Sequence, residues 1–247
     1  MKKLISIILL SILMTTTIIS SKVNASIKEE PSEIDKEFII CIDPGHQEKG
    51  DSKSEPVAPG SGQRKARVSQ GTTGISTKKA EYVVNLEASI ILKEILEGKG
   101  YKVIMTRDCH DINISNAERA EVANKCKADL AIRIHCDSLN DSSKTGAVIL
   151  VPSKNGQYTK SIFEDSNSYA KILQTKLKSS GIKVNGVFER ADITGFNWSQ
   201  VPVVIFEMGF MSNWNEDKML SDSDYQKKLM EIVAQSIDEF KVGTISE

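Results

Sequence analysis

The sequence predicts an α/β fold: a single domain with a mostly parallel central sheet of about six strands and helices on both faces. Short apolar runs rich in β-branched residues alternate with longer segments that carry one apolar stripe. Strands that alternate with helices in this way build parallel sheets covered on both faces. The predicted strands are residues 38–43, 101–106, 129–135, 147–151 and 203–207, with a sixth within residues 183–188.

Helices are predicted between and after these strands. The first ends at Gly98 and Gly100, which are stop signals, and the second has Ser115 or Asn113 as its N-terminal cap. Only one helix is expected between residues 147 and 203, so we expect an open groove at the sheet edge. The predicted helices are residues 77–98, 114–125, 161–179 and 222–240.

Residues 1–25 carry the features of a secretory signal peptide. Lys2 and Lys3 form a basic start, residues 4–19 are apolar, and Ala25 offers a cleavage point. An uncleaved anchor is the alternative, although the apolar stretch is short for a membrane span. We therefore expect a secreted protein that meets the membrane only transiently, through its signal peptide. The expected organisation is a signal peptide at residues 1–25, a linker at 26–37 and a folded domain at 38–241.

Composition limits the partners and the redox chemistry. The chain has 32 basic and 33 acidic residues and a net charge of −1, which argues against nucleic acid as a partner. Its four cysteines show no CxxC spacing. We expect buried free thiols, with a disulfide between Cys109 and Cys126 as the alternative in an exported protein.

Residues 47–76 form a long stretch with little periodicity and many glycines and prolines. We expect an irregular loop, and loops of this length inside compact domains are commonly functional. Its middle is basic, with Arg64, Lys65 and Arg67. One hypothesis is a flap whose basic side chains meet an acidic substrate, and the alternative is a surface ornament without a role.

Four residues are candidates for a metal-dependent site. His46 follows the first strand, His135 ends the third, Glu207 ends the fifth, and Glu81 lies at the start of the first helix. The carboxyl ends of parallel strands meet at one sheet edge, so we expect these side chains to converge. Such ligands, with one coordination position left open, are typical of hydrolytic zinc sites. From position alone, a structural role for each residue stays open.

A cysteine hydrolase is the competing enzymatic interpretation, because His135 and Cys136 are neighbours. Side chains alternate along a strand, so these two point to opposite faces and cannot form a nucleophile and base pair. The HExxH motif of many zinc proteases is also absent from the sequence.

The segments IDPGHQ, IRIH and VVIFEMGFMSN resemble those of the zinc-dependent N-acetylmuramoyl-L-alanine amidases of the type 3 amidase family. The resemblance spans residues 38–240 in the order and rough spacing of that family. It implies Zn²⁺ held by His46, Glu81 and His135, with Glu207 as the catalytic carboxylate. It also implies an α/β domain with a six-stranded sheet. The implied reaction cuts peptidoglycan between N-acetylmuramic acid and the L-alanine of the stem peptide.

Two departures from the family pattern affect the substrate contacts. Many members have Ser-Ile-His-x-Asn where this chain has Arg133 and Asp137 around the second histidine. Arg133 could pair with Asp137 or with a substrate carboxylate. The long loop resembles an insertion found in a clostridial-type subset. The candidate substrate-binding residues are Arg133, Asp137, Arg64, Arg67 and Arg190.

Two alternatives to an autonomous enzyme are a non-catalytic cell-wall binding protein and an amidase that needs an activator protein. A binding module would not require two histidines and two inward carboxylates, and such modules often show repeats, which are absent here. We expect a monomer that is associated with the cell wall.

Overall fold

The computed structural model describes residues 37–245, so the predicted signal peptide and all but the last residue of the predicted linker lie outside the described residues. The strands are β1 (Ile39–Pro44), β2 (Asp51–Pro56), β3 (Arg64–Val68), β4 (Lys102–Met105), β5 (Leu130–Asp137), β6 (Ala147–Pro152), β7 (Val184–Arg190) and β8 (Val203–Phe210). The helices are α1 (Glu81–Gly98), α2 (Asn116–Lys125), α3 (Phe163–Ser179), α4 (Thr194–Asn197), α5 (Trp214–Leu220) and α6 (Ser223–Ile245).

The central sheet has the strand order β4-β1-β5-β8-β6-β7. Its first four strands are mutually parallel, whereas β6 pairs with β8 in the antiparallel sense and with β7 in the parallel sense. The mostly parallel six-stranded sheet is therefore as predicted, and β7 is the strand expected within residues 183–188. The carboxyl ends of β1, β5 and β8 share one edge of the sheet.

Helices cover both faces of this sheet, as the sequence predicted. On one face, side chains of α1, α3 and α6 such as Leu92, Leu173 and Val233 pack against the alternate strand residues in one large apolar cluster. On the other face, Ala123 of α2 and Phe196 of α4 belong to a smaller cluster. The polar site residues lie on this second face, which is less completely filled with apolar side chains.

The prediction of an irregular loop at residues 47–76 is wrong in its main part. β2 and β3 form an antiparallel hairpin with a register shift between Asp51 and Ser54. The strands are mostly exposed and polar, so they lack the apolar alternation that would have indicated them. Contacts with the rest of the domain stabilise the hairpin instead. Glu55, for example, is buried and accepts hydrogen bonds from the Ala117 backbone N–H at the start of α2 (3.3 Å).

Three helix predictions need correction. α1 starts at Glu81 rather than residue 77, because Thr73 and Ala80 form a β-bridge just before it. The last predicted helix is preceded by the separate helix α5, and α4 lies in a segment predicted to be irregular. Ser115 caps α2 in a capping box with Glu118, as predicted.

None of the helices in residues 37–245 combines the length and apolar character needed to cross a membrane.

All four cysteines are free thiols, so the alternative of a Cys109–Cys126 disulfide is wrong. Cys41 and Cys136 are buried as expected, whereas Cys109 is exposed. The two buried thiols lie on adjacent core strands and point to opposite faces of the sheet, as members of the two different apolar clusters.

A buried charge network lies beneath the end of β1. Asp43 accepts hydrogen bonds from Arg119 (2.7 Å), Arg133 (2.7 Å) and the Thr106 hydroxyl (2.5 Å), and all four side chains are buried. Burial by itself would raise the pKa of Asp43, but the two guanidinium groups outweigh it and hold the pKa well below its usual range. The network ties β1, β5 and α2 together directly below the candidate site.

We expect Arg119→Leu to lower the free energy of unfolding by about 3–5 kcal/mol, because it leaves a buried carboxylate with one partner fewer. The matched control is Lys125→Leu in the same helix, where the lysine side chain is 78% exposed and pairs with Glu121. That change should cost less than about 1 kcal/mol. Urea unfolding followed by circular dichroism measures both, and equal destabilisation would contradict the role of the network.

The stabilising contribution of Asp43 has a defined pH dependence. Its pKa is depressed in the folded state, so the contribution is complete above the pKa of an unfolded aspartate, about 3.9, and declines as the pH falls below that value. Urea midpoints of the native protein should therefore drop between about pH 4 and pH 2, and the drop should be smaller in Asp43→Asn.

Candidate metal centre

His46 lies in the turn that follows β1, where the backbone has a left-handed conformation (φ 61°). This conformation is unusual for a residue with a side chain and is commonly found at functional sites. The imidazole Nδ1 lies 3.0 Å from the carbonyl oxygen of Ser69, the residue after β3. Because Nδ1 faces that carbonyl, Nε2 is the ring atom that faces Glu81 Oε1, 3.2 Å away.

Two buried arginines hold this turn in place. Arg107 donates to the carbonyls of Pro44 (2.9 Å) and Gly45 (3.0 Å), and Arg119 donates to those of Pro44 (2.8 Å) and His46 (2.8 Å). Burial and the neighbouring Arg119 lower the pKa of Arg107 to about 10, so it stays charged at neutral pH. Sequence reasoning missed both arginines. The one available signal was the position of Arg119 among the alanines on one side of α2.

Glu81 is the first residue of α1, and its carboxylate is almost fully buried. Oε2 accepts from the Thr72 backbone N–H (3.0 Å), and Oε1 accepts from the Cys136 backbone N–H (3.2 Å) and from Asn85 Nδ2 (3.1 Å). Burial by itself would raise the pKa of Glu81, but interactions with the two histidines hold it well below its usual range. The side chain is therefore a fixed carboxylate.

His135 completes a group of three potential metal ligands with His46 and Glu81. Its Nδ1 lies 3.3 Å from Glu81 Oε1, and burial lowers its pKa to about 4, so the ring is neutral at pH 7. Its Nε2 is buried without a hydrogen-bond partner in the described part of the chain. One ligand atom from each residue lies within 4.8 Å of the others. Two imidazoles, one of them with an orphaned buried nitrogen, and a carboxylate fit a divalent cation such as zinc.

Glu207 lies beside this group but is not one of the three ligands. It pairs with His135 in the register of β8 and β5, so both side chains point to the same face of the sheet. Burial raises the pKa of Glu207 well above its usual range, and Glu81 and Asp137 add to the shift. Asp137 lies two residues after His135 on the same face, and burial also raises its pKa. His46, Glu81 and His135 therefore meet at one place, and Glu207 lies next to His135 in the register of the sheet.

Arg133 does not fit the prediction that it pairs with Asp137. Its side chain is 6% exposed, and it donates to Asp43 (2.7 Å) and to Asn116 Oδ1 (3.0 Å). The guanidinium is thus committed to the charge network under the turn. The expected pairing with Asp137 is therefore wrong, and a contact between Arg133 and substrate stays a prediction.

The basic residues of the hairpin are also engaged within the chain. Arg64 donates to the Ser54 carbonyl (2.7 Å) and hydroxyl (2.9 Å). Arg67 pairs with Asp51 (3.0 Å) and Glu118 (2.8 Å), which ties the hairpin to α2. Both arginines thus have partners within the chain, and the hypothesis that they meet the substrate stays a prediction.

Arg190, at the end of β7, is the remaining basic candidate. It forms two hydrogen bonds with Asp192 (both 2.8 Å) on the protein surface. Its charge is close enough to oppose the rise in the pKa of both Glu207 and Asp137. A substrate-binding role for Arg190 and Asp137 stays a prediction.

The short helix α4 corrects the expectation of no further helix between residues 147 and 203. Its Phe196 is fully buried in the smaller apolar cluster, and Gly195 lies against the Arg133 guanidinium. The helix thus covers the sheet beneath the site rather than the site itself. The His46 side chain is 18% exposed, and Glu207 is half-buried.

We expect Gly71→Ala to weaken metal binding at least tenfold while Gly60→Ala leaves it unchanged. Both glycines have positive φ, +86° and +72°, so both changes introduce a similar backbone strain of about 1–2 kcal/mol. A Cβ at Gly71 would lie 2.6 Å from Glu81 Oε2 and 2.9 Å from the His46 ring, whereas at Gly60 it would meet open space. Equilibrium dialysis against Zn²⁺ measures the difference, and equal affinities would refute the proposed ligand set.

Comparison with known proteins places the whole domain in one family. The chain is 25% identical over 212 residues to N-acetylmuramoyl-L-alanine amidase Rv3717 of Mycobacterium tuberculosis, covering 82% of this chain and 86% of that protein. The fold is similar to that of the N-acetylmuramyl-L-alanine amidase Ami1 from Mycobacterium smegmatis, with a TM-score of 0.74 at 25% identity over 82% of this chain and 96% of that one.

A second solved structure of similar fold is the CwlD amidase from Clostridioides difficile in complex with the GerS lipoprotein. Its TM-score is 0.65 at 24% identity, and the match covers 83% of this chain and 98% of that one. The family profile described as N-acetylmuramoyl-L-alanine amidase matches residues 40–239, which include every residue of the candidate metal centre. The chain therefore belongs to the N-acetylmuramoyl-L-alanine amidase family called Amidase_3.

Proposed function

We propose that this protein is a zinc-dependent amidase that cleaves peptidoglycan between N-acetylmuramic acid and the L-alanine of the stem peptide. The observation that carries the proposal is the group of His46, Glu81 and His135, with Glu207 beside it, in a member of this family. Peptidoglycan lies outside the cytoplasm, which agrees with export through the signal peptide predicted at residues 1–25. The catalytic domain would then span residues 38–241.

The three residues would hold Zn²⁺ through two neutral imidazoles and one carboxylate. When bound, zinc supplies Lewis-acid polarisation of the scissile carbonyl and a water molecule of lowered pKa. The protein orients these ligands through further hydrogen bonds, from His46 to Ser69 and from Asn85 and the Cys136 backbone to Glu81. Such supporting contacts keep each ligand in one orientation.

Glu207 is the proposed general base and general acid. In its ionised form it takes a proton from the attacking water, and in its protonated form it delivers that proton to the departing alanine nitrogen. A carboxylate that alternates between charged and neutral forms must not be locked in an ion pair. No ion pair to Glu207 is present in residues 37–245.

Substrate contacts would come from the same face of the sheet. Asp137 is close enough to Glu207 to raise its pKa, and the charge of Arg190 acts on both carboxyl groups. We propose that Arg190 exchanges its bonds to Asp192 for a carboxylate of the stem peptide, since guanidinium groups bind carboxylates in a bidentate manner.

An amidase that needs a partner protein is the second candidate. The support for it is that one solved structure of similar fold is an amidase in complex with a lipoprotein. The discriminating observation is the activity of the purified chain alone. A monomer that hydrolyses peptidoglycan without additions would exclude both this candidate and a purely non-catalytic wall-binding protein.

We expect purified peptidoglycan to be digested with release of free L-alanine amino groups and without new reducing sugars. A chelator should abolish the release, and added Zn²⁺ should restore it, because the ligand set provides no substitute for the cation. Labelling of new amino termini and a reducing-sugar assay distinguish the products. New reducing ends would point to a glycosidase and would contradict the proposal.

We expect Glu207→Gln to reduce kcat by about 10²–10⁴-fold, because the amide keeps the shape of the carboxylate but cannot accept the proton. Zinc content should stay at the native level, since Glu207 is not one of the ligands. The control is Glu231→Gln on the exposed surface of α6, which should retain full activity. A fully active Glu207→Gln enzyme would overturn the assignment.

A further inference from the structure

The segment at residues 72–81, which ends on the candidate ligand Glu81, folds back on itself. The backbone N–H of Glu81 donates to the Thr72 carbonyl (2.9 Å), and the Thr72 N–H donates to Glu81 Oε2 (3.0 Å). Thr73 and Ala80 form the next β-bridge. The paired end of this segment therefore holds the ligand carboxylate directly.

This folded segment needs support from outside itself. Two paired positions make a very short two-stranded ribbon, and isolated ribbons of this kind are at best marginally stable in water. The start of α1 adds little, because Ala80 occupies its N-cap position without a side-chain hydrogen bond. The orientation of the Glu81 carboxylate thus depends on what holds the turn at the other end of the segment.

Asp217 of α5 holds that turn. Its side chain is fully buried, and Oδ2 accepts from the backbone N–H groups of Ser76 and Thr77 (both 2.6 Å). Oδ1 accepts from the Thr77 hydroxyl (2.8 Å). A Cβ at Gly74 would overlap Oδ1, so the turn fits against the carboxylate only with glycine at that position. A buried carboxylate is costly unless donors meet it, and here three donors come from one turn.

The neighbouring Glu216 has the same chemistry but a different target. Its two oxygens accept from the backbone N–H groups of Gly146 (2.6 Å) and Phe210 (2.7 Å). These bonds join the residue before β6 to the end of β8, and neither N–H belongs to residues 72–81. The two adjacent carboxylates therefore separate support of the ligand segment from support of the sheet.

We infer that Asp217 is a positioning residue for the metal centre. It fixes the turn of the segment at residues 72–81, and the paired end of that segment directs the Glu81 carboxylate towards His46 and His135. Asp217 does not touch the metal or the substrate. This inference rests on the proposed function, because it requires that Glu81 binds the metal.

The zinc affinity of the full chain, measured by competition with a chromogenic chelator, tests the role. We expect Asp217→Asn to weaken zinc binding about tenfold, because the amide keeps the shape of the carboxylate but loses its charge and one acceptor oxygen. The matched control Glu216→Gln removes the same charge from the same helix and should keep the native affinity. Equal losses in the two variants would indicate a general effect on folding and would overturn the positioning role.

The geometry of the loaded site is the second readout. Co²⁺ takes the place of zinc here, because its visible absorption band responds to the arrangement of its ligands. At saturating Co²⁺, the band of Asp217→Asn should differ from that of the native protein, since the Glu81 carboxylate is no longer fixed. The band of Glu216→Gln should match the native one. A native band in Asp217→Asn would also refute the positioning role.

A milder variant decides the question if Asp217→Asn does not fold. Thr77 is exposed, so Thr77→Val should fold normally, and loss of its hydrogen bond to Asp217 should weaken zinc binding about threefold. The control is Thr175→Val on α3, where an exposed hydroxyl bonds the Lys171 carbonyl (2.8 Å) of its own helix, and it should bind zinc as the native protein does.

The outcomes separate this inference from the proposed function. Native zinc affinity in Thr77→Val would overturn the positioning role of Asp217 and leave the proposed function in place. A native protein that binds no zinc would instead contradict the proposed function itself.

Discussion

The candidate site depends on the pairing of buried backbone carbonyls with two arginine side chains. The turn after β1 exposes the carbonyls of residues 44–46 to the protein interior, and Arg107 and Arg119 satisfy them. Each buried carbonyl would cost about 1–3 kcal/mol of stability if it had no hydrogen-bond donor. The left-handed conformation of His46 is thus maintained by residues far along the chain, and Asp43 balances their charge.

The hairpin of β2 and β3 acts as a fixed part of the site. Glu55 anchors it at the start of α2, Arg67 pairs with Glu118 of the same helix, and Lys65 reaches the carbonyl of Asp192. From this position Ser69 contacts the ring of His46. The hairpin therefore helps to orient the ring of His46, and its basic residues hold it against the domain. A mobile flap would need these side chains to be free.

Two kinds of residue differ in how far the sequence predicts their role. His46, His135 and Glu207 could be predicted because they interrupt or end apolar strands, where a polar side chain has an evident cost. Position at the start of the first helix placed Glu81 at the same sheet edge, and the resemblance to the family singled it out, because a glutamate at the start of a helix is ordinary. Arg133 was expected to contact Asp137 or substrate because it lies two residues before His135, whereas its observed partner Asp43 lies on another strand.

The sequence by itself determined the α/β class, the strand and helix alternation and the set of convergent residues at one sheet edge. These features follow from local periodicity and from the polarity of residues at strand ends, and both are visible in the order of residues along the chain. Only the tertiary structure decided the partner of each buried charge, the docking of the hairpin and the direction of β6. Such features depend on contacts between residues distant in the chain, and polar surface strands leave no periodic pattern from which to predict them.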